Sequence, residues 1–246
     1  MRRFNFKQVY NCRELGGYCT PEGFTKEAVF VRSDNTTYLS EQEMTYLKSY
    51  GLSTVIDLRH KPEISDDPDP FEHDPEIDYQ NIAVTDYASF TTEDLNEILL
   101  SDLYITMSEN KVFIRSVFES LAKAKGTVLF HCSAGKDRTG LISALLLKLM
   151  GVAKSDIVAD YQVSNTYLIE KYKDMEENPS HRYVNLYDSK PETMFVFLNY
   201  LEKNYGNIEN YFRDKEVSKE TLERIKTKFT ERIPQWIYVK SFCTLL

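Results

Sequence analysis

The chain has 246 residues, 30 Lys and Arg against 38 Asp and Glu, and a formal net charge of −8. That length is enough for one sizeable α/β domain with its own core, and the acidic balance excludes a general nucleic-acid or anionic-membrane surface. With 17 Tyr and 14 Phe the composition suits a folded core and not disorder, so an anionic ligand would need a local positive pocket.

The first residues, Met1-Arg2-Arg3-Phe4-Asn5-Phe6-Lys7, lack the apolar centre of a signal peptide, and no apolar run approaches a membrane span. A cytoplasmic protein without stable membrane insertion is the expectation; secretion through a removed leader is the open alternative. Cys12, Cys19, Cys132 and Cys243 show no metal or disulfide-framework spacing. Cys12 and Cys19 could pair in principle.

Asn11 to Tyr18 turns at Gly16-Gly17 and reads as an ordered loop pinned by Arg13. Ala28 to Ser33 predicts a strand. Ser40 with Glu43 three residues on is a capping-box pattern for a helix running to about Tyr50 and stopped by Gly51. Ser53 to Leu58 is the next strand, with Arg59 at its end. In parallel α/β sheets ligands bind beyond the carboxyl ends of the strands, so Asp57 and Arg59 are placed on that rim. Asp66 to Glu76 is acidic, punctuated by proline, and reads as a solvated connection. Asp78 to Val84 predicts a strand, followed by Asp86. Thr92 to Met107 and Lys111 to Ala124 predict a helical pair.

Thr127-Val128-Leu129-Phe130 is a short apolar run rich in β-formers, and Leu141 to Met150 is a longer one without proline. A buried strand and a buried helix are expected. Asp156 to about Met175 predicts a helix with one core stripe at Ile157, Tyr161, Leu168, Tyr172 and Met175. From Pro191 another helix presents Met194, Phe195, Phe197, Leu198 and Leu201 and ends near Gly206. Glu216 to Phe229 predicts a charged amphipathic helix, and Pro234 to Leu246 a docked tail. No internal repeat, low-complexity linker or domain boundary stands out, so residues 1–246 are expected to form one domain.

Between the buried strand and helix lies His131-Cys132-Ser133-Ala134-Gly135-Lys136-Asp137-Arg138-Thr139-Gly140. The first N–H groups of a helix lack intrahelical partners and sit at the positive end of its dipole, so a loop curled over them binds a phosphate. Gly135 permits the curl. The same field favours a thiolate at Cys132, and Arg138 offers a planar fork to phosphate oxygens. An activated sulfur facing a bound phosphate is a phosphoryl-transfer site. A Walker A loop is excluded, because Phe130 stands where its first Gly belongs and Asp137 follows Lys136. A rhodanese-like sulfurtransferase uses a shorter loop.

Cys-x5-Arg-Thr resembles the signature of cysteine-dependent phosphatases. The fuller Cys-x-x-Gly-Lys-Asp-Arg-Thr-Gly resembles the atypical bacterial tyrosine phosphatases with dual protein and phosphoinositide specificity. The strand ending in Asp57-Leu58-Arg59 matches that family. Asn11-x-Arg13-Glu14-Leu15-Gly16-Gly17 resembles its N-terminal element, with Cys12 where Phe is usual and Glu14 where Asp is usual. The resemblance covers roughly Asn5 to Asn165. It implies a cysteine-phosphatase-like α/β fold with a parallel-rich central sheet flanked by helices, to which the helical patterns from Pro191 onward add extra C-terminal helices.

The expected activity is hydrolysis of phosphate monoesters through a phosphocysteine on Cys132, with phosphotyrosine proteins as substrate. A phosphoinositide or inositol-phosphate phosphatase is the alternative enzyme, and a catalytically silent phosphate-binding module is the alternative outside enzymes. Ser133, Ala134, Gly135, Lys136, Asp137, Arg138 and Arg59 are the expected phosphate-binding residues. Lys136 is either a second phosphate ligand, favouring substrates with several phosphates, or a solvated lysine. Arg59 either binds substrate or pairs with an acid. The general acid is one of three aspartates. The resemblance places it at Asp137; Asp57 competes but could instead orient Arg138 or Lys136, and Asp86 is the third. His131 supports the loop through backbone partners, and Thr139 serves the sulfur, the helix cap or both. A thiol nucleophile argues for a reducing compartment. No metal or other cofactor is implied.

Overall fold

A computed structural model describes residues 2–84, 100–176 and 189–232, without the side chains of 173–176. In chain order its elements are β1 (Arg13–Glu14), β2 (Cys19–Thr20), β3 (Gly23–Thr25), β4 (Phe30–Ser33), α1 (Glu41–Ser49), β5 (Leu52–Asp57), α2 (Lys61–Asp66), β6 (Asp78–Asn81), α3 (Leu100–Glu109), α4 (Lys111–Lys123), β7 (Thr127–His131), α5 (Asp137–Leu149), α6 (Lys154–Glu176), α7 (Pro191–Tyr205), α8 (Ile208–Asp214), α9 (Lys219–Phe229) and β8 (Thr230–Arg232).

The main sheet has the order β1-β4-β7-β5-β6. β4, β7, β5 and β6 run parallel, and only β1 is antiparallel. This is the parallel-rich α/β arrangement expected. β7 is buried along its whole length, as a strand covered on both faces must be. On one face the large core joins the sheet to α3–α9, and on the other a smaller core gathers Phe4, Val9, Leu47 and Phe71. A second, unforeseen sheet, β2-β3-β8, pairs the end of the described chain with its beginning, Gly23 opposite Arg232.

Local chemistry explains most boundaries. The Ser40 hydroxyl accepts the Glu43 N–H while Glu43 accepts the Ser40 N–H at 2.8 Å, and Gly51 ends α1 with φ 106°. α5 is buried continuously from Arg138 to Leu147, as its sequence requires.

Other boundaries differ from expectation. β6 stops at Asn81, not Val84, because its partner β5 ends at Asp57. The amphipathic helix begins at Lys219, capped by Ser218. Glu216, the expected start, has φ 60° and makes the turn out of α8, a helix the sequence reading passed over. Phe195 is 41% exposed and does not join the buried face of Met194, Phe197, Leu198 and Leu201. The acidic stretch is not merely solvated: it begins in α2, and Asp69 is buried. Residues 85–99 and 233–246, with Asp86, Cys243 and the expected tail, lie outside the described residues. Among the described residues no helix is long and apolar enough to cross a membrane.

Candidate active site

Parallel pairing aligns three strand ends: Ser33 of β4 and Asp57 of β5 both stand in register with His131 of β7. The residues leaving those ends, Asp34, Leu58-Arg59 and Cys132, therefore converge on one rim. From Cys132 the chain turns through Ser133-Ala134-Gly135-Lys136 into α5. Gly135 has φ 64°, and a Cβ there would stand 2.6 Å from the Asp34 nitrogen. Any side chain would strain the backbone and collide with the exit from β4.

The carbonyls of this loop are held outward. Asn35 N–H (3.2 Å) and Lys171 Nζ (3.0 Å) donate to Ser133 O. Asn11 Nδ2 donates to Ala134 O (3.0 Å) and Gly135 O (3.1 Å), and Arg32 Nη2 to Gly135 O (2.7 Å). In a trans peptide the C=O and the following N–H point opposite ways. The amides of Ala134, Gly135 and Lys136 therefore face into the loop, where their dipoles form a cradle for an anion.

A buried network fixes these outer donors. Asp160 on α6 accepts Arg13 Nε at 3.0 Å and also pairs with Arg32 Nη1. Arg13 reaches the Asp160 carbonyl (2.7 Å) and Ser164 Oγ (3.0 Å), and donates to the Asn11 side chain. Burial alone would raise the Asp160 carboxyl; Arg13 and Arg32 outweigh it and hold it low. Asp34 accepts the Asn11 N–H at 2.9 Å and pairs with Lys171 at 3.3 Å. Asn11 and Arg13 thus face the loop, while their neighbours face elsewhere: Cys12 packs in the small core and Glu14 accepts from Ala28 N–H and Tyr50 Oη. The two departures from the family pattern fall on the face turned from the site. Cys12 is buried and Cys19 exposed, and no disulfide joins them.

Cys132 is 2% exposed. Burial pushes its thiol up, but Arg138 and then the hydroxyl and backbone N–H of Thr139 outweigh it, and the thiol lies below its ordinary value. Arg138 is oriented by Glu63 of α2: Nη1 donates to Oε2 at 2.6 Å and Nη2 to Oε1 at 2.8 Å. The Ser133 hydroxyl also donates to Glu63, and the His60 N–H does so at 2.9 Å. Burial raises the Glu63 carboxyl, yet Arg138 more than reverses this and brings it to about 2. Sequence reading missed Glu63. Its signal was present: Pro62 in the first turn and an acid at the third helical position mark a helix start.

Asp137 opens α5 with its side chain 23% exposed. Its Oδ1 accepts from Tyr104 Oη at 3.0 Å and lies 3.5 Å from Lys136 Nζ. Lys136 is 1% exposed, so it is not a solvated lysine.

Asp57 and Arg59 reach the rim but face each other. Arg59 Nε donates to Asp57 Oδ1 at 3.0 Å and Nη2 to Oδ2 at 2.8 Å, while Nη1 reaches Asn35 Oδ1 (3.0 Å) and Asp67 O (2.8 Å). Tyr79 Oη also donates to Asp57, at 2.9 Å. Of the two roles open to Arg59, the structure places it against an acid. His131 Nε2 lies 3.0 Å from Asp69 and 3.8 Å from Asp57. It does not use the backbone partners expected, because the buried ring faces these two carboxylates. Burial would lower the His131 imidazole; Asp57 and then Asp69 outweigh it and raise it.

Ligand atoms of Asp57, Asp69 and His131 lie within 4.8 Å of one another, a grouping invisible in the sequence spacing. The group already contains a cation, since Arg59 Nη2 stands 2.8 Å from Asp57 and 3.8 Å from Asp69. These donors fit a guanidinium and an imidazolium better than a metal ion.

Phosphoryl transfer to sulfur is the chemistry this loop is shaped for, which defines a cysteine-dependent phosphatase. The model of the tyrosine phosphatase family matches residues 4–231, and the chain belongs to that family. A tyrosine-protein phosphatase of Nostoc commune is 30% identical over 218 residues, covering 81% of this chain and 73% of that protein. The triple specificity protein phosphatase PtpB of Mycobacterium tuberculosis is 32% identical over 124 residues, 44% of this chain and 45% of that protein. Among solved structures, a TpbA variant of P. aeruginosa in complex with pTyr is similar at a TM-score of 0.37 and 15% identity, over 75% of this chain and 96% of that one.

Proposed function

We propose that this phosphatase acts on phosphotyrosine in proteins through a phosphocysteine on Cys132. The observation that carries this is the Cys132 thiol, lowered against its own burial by Arg138 and Thr139 at the mouth of a loop with inward amides. The thiolate attacks phosphorus in line; an S–P bond forms while the P–O bond to the tyrosyl oxygen breaks. Asp137 gives its proton to the leaving oxygen. Water then attacks the phosphocysteine and loses a proton to Asp137, and phosphate leaves. The loop amides and Arg138 stabilise the equatorial oxygens throughout.

Asp137 suits the acid role better than Asp57 or Glu63 does. Asp57 is fully buried, and both its oxygens are bonded to Arg59. Glu63, at about 2, stays ionised at working pH and cannot donate. In this reading Asp57, Arg59 and Asp69 hold His131 and the loop's exit and do not touch phosphate.

Lys136 was the reason to consider polyphosphorylated substrates. Its ammonium is buried against Asp137, which favours phosphotyrosine. A wider range that includes phosphoinositides is the second reading, favoured by a relative named for triple specificity. The thiol nucleophile suits the cytoplasm, with neither nucleic acid nor membrane insertion in the function. A core continuous from Leu15 to Phe229 supports one phosphatase domain over residues 1–246.

Turnover of a phosphotyrosine peptide, a phosphoserine peptide and a phosphoinositide, each with wild type and Cys132→Ser, tests this. The phosphotyrosine peptide should give the highest kcat/KM, and Cys132→Ser should bind it without turnover. A higher kcat/KM for the phosphoinositide would reverse the substrate order, and near-normal turnover by Cys132→Ser would remove the nucleophile.

A further inference from the structure

The C-terminal helices carry no residue of the phosphate-binding loop, yet besides Lys171 of α6 on Ser133 O a packed tyrosine ties them to it. Tyr104 on α3 is fully buried. Its ring packs edge-to-face on Tyr161 of α6, with centroids 5.8 Å apart at 84°, and tilted against Phe197 of α7 at 6.1 Å. Two helices thus clamp the ring that α3 presents, and its hydroxyl points at the first turn of α5. That hydroxyl lies 3.0 Å from Asp137 Oδ1 and 3.4 Å from Lys136 O.

We propose that Tyr104 is the positioning residue for the general acid, donating to Asp137 Oδ1 so that the transferred proton travels on Oδ2. This rests on the reading of Asp137 as the acid. Among the described residues, the charged and titratable groups around that carboxyl include Tyr104 from α3, with Tyr161 of α6 behind it and Arg32 of β4 beside it at Gly140, and Lys136 and Cys132 from the loop. Tyr104 and Lys136 both address Oδ1. A carboxyl with one oxygen doubly engaged presents the other to the leaving group in a fixed direction, which is what efficient proton transfer needs. Burial, followed by Asp137 and Tyr161, raises the Tyr104 phenol well above its ordinary value, so it remains a donor across the working range.

Removing the bond from Tyr104 leaves the Asp137 carboxyl free to turn, so its proton is aimed less well. In Tyr104→Phe the loss should appear in kcat and depend on the leaving group. Turnover of phenyl phosphate, a poor leaving group, should fall about tenfold, and that of p-nitrophenyl phosphate much less.

The experiment measures kcat against pH for both esters in wild type, Tyr104→Phe, Asp137→Asn and the double variant, with inhibition by inorganic phosphate as a control. In the double variant Tyr104→Phe should add nothing to Asp137→Asn. Unchanged turnover of phenyl phosphate in Tyr104→Phe, or an equal slowing of both esters, would overturn the proposal. So would equal factors in the wild-type and Asp137→Asn backgrounds, or phosphate inhibition weakened about tenfold, which would mark a collapsed loop. If Asp137→Asn itself keeps the alkaline limb, the acid assignment fails first, and that result is separate from the others.

Discussion

Replacing Glu63 by Gln keeps the shape of the side chain and removes the charge that orients Arg138. In wild type two charge-assisted bonds, at 2.6 and 2.8 Å, join the carboxylate to both Nη atoms. The Glu63 carboxyl sits at about 2, roughly two units below an ordinary glutamate, which corresponds to about 3 kcal/mol before screening. The side chain is 33% exposed, so about 1–2 kcal/mol is the realistic contribution. Because the folded value is depressed, this stability is present above the ordinary carboxylate range and is lost as pH falls toward 2. Glu63→Gln should therefore lower Tm by about 3–8 °C near pH 7. The gap to wild type should close as pH drops below about 4. The guanidinium loses its fixed plane as well, so kcat/KM for p-nitrophenyl phosphate should fall about tenfold or more. Thermal melts across pH and steady-state kinetics read both effects. A Tm gap that is the same at low and neutral pH, with unchanged kcat/KM, would refute the assignment of Glu63 as the anchor of Arg138.

Two further outcomes follow from buried charges. Asp160→Asn leaves Arg13 and Arg32 buried beside a neutral amide; about 3–5 kcal/mol should be lost, lowering Tm by roughly 6–20 °C, and a melt within a degree or two of wild type would show that the network does not hold the loop. Asp69→Asn should lower the His131 imidazole in an NMR titration; since the folded value is raised, wild type should exceed the variant in stability most at low pH and lose that advantage as pH rises through it. An unchanged His131 titration would mean that Asp57 alone sets its state.

The loop was legible because its information is local. Ten consecutive residues contain the strand end, the glycine that needs positive φ, the sulfur and the guanidinium, and each acts through its own backbone position. The rim partner Asp57-Leu58-Arg59 was legible as a place, because strand ends in a parallel sheet converge. It was not legible as a role: only the fold shows that Asp57 and Arg59 neutralise each other. Glu63 reaches Arg138 from 75 residues away, and Asp160 reaches Arg32 across 128, separations at which no periodicity carries a signal. The helical stripe on α6 illustrates the difficulty. Ile157, Tyr161 and Leu168 are buried as expected, but Asp160 and Ser164 are buried with them, and a polar residue beside a core stripe reads as surface until its arginine partners are placed.

A nucleophilic Cys132 must pass through a covalent phosphocysteine during turnover. Rapid acid quench during turnover of a phosphotyrosine peptide, followed by mass mapping, should find one phosphoryl group on Cys132 in wild type and none in Cys132→Ser. Turnover with no phosphorylated Cys132, or with the phosphoryl group on another residue, would contradict the account.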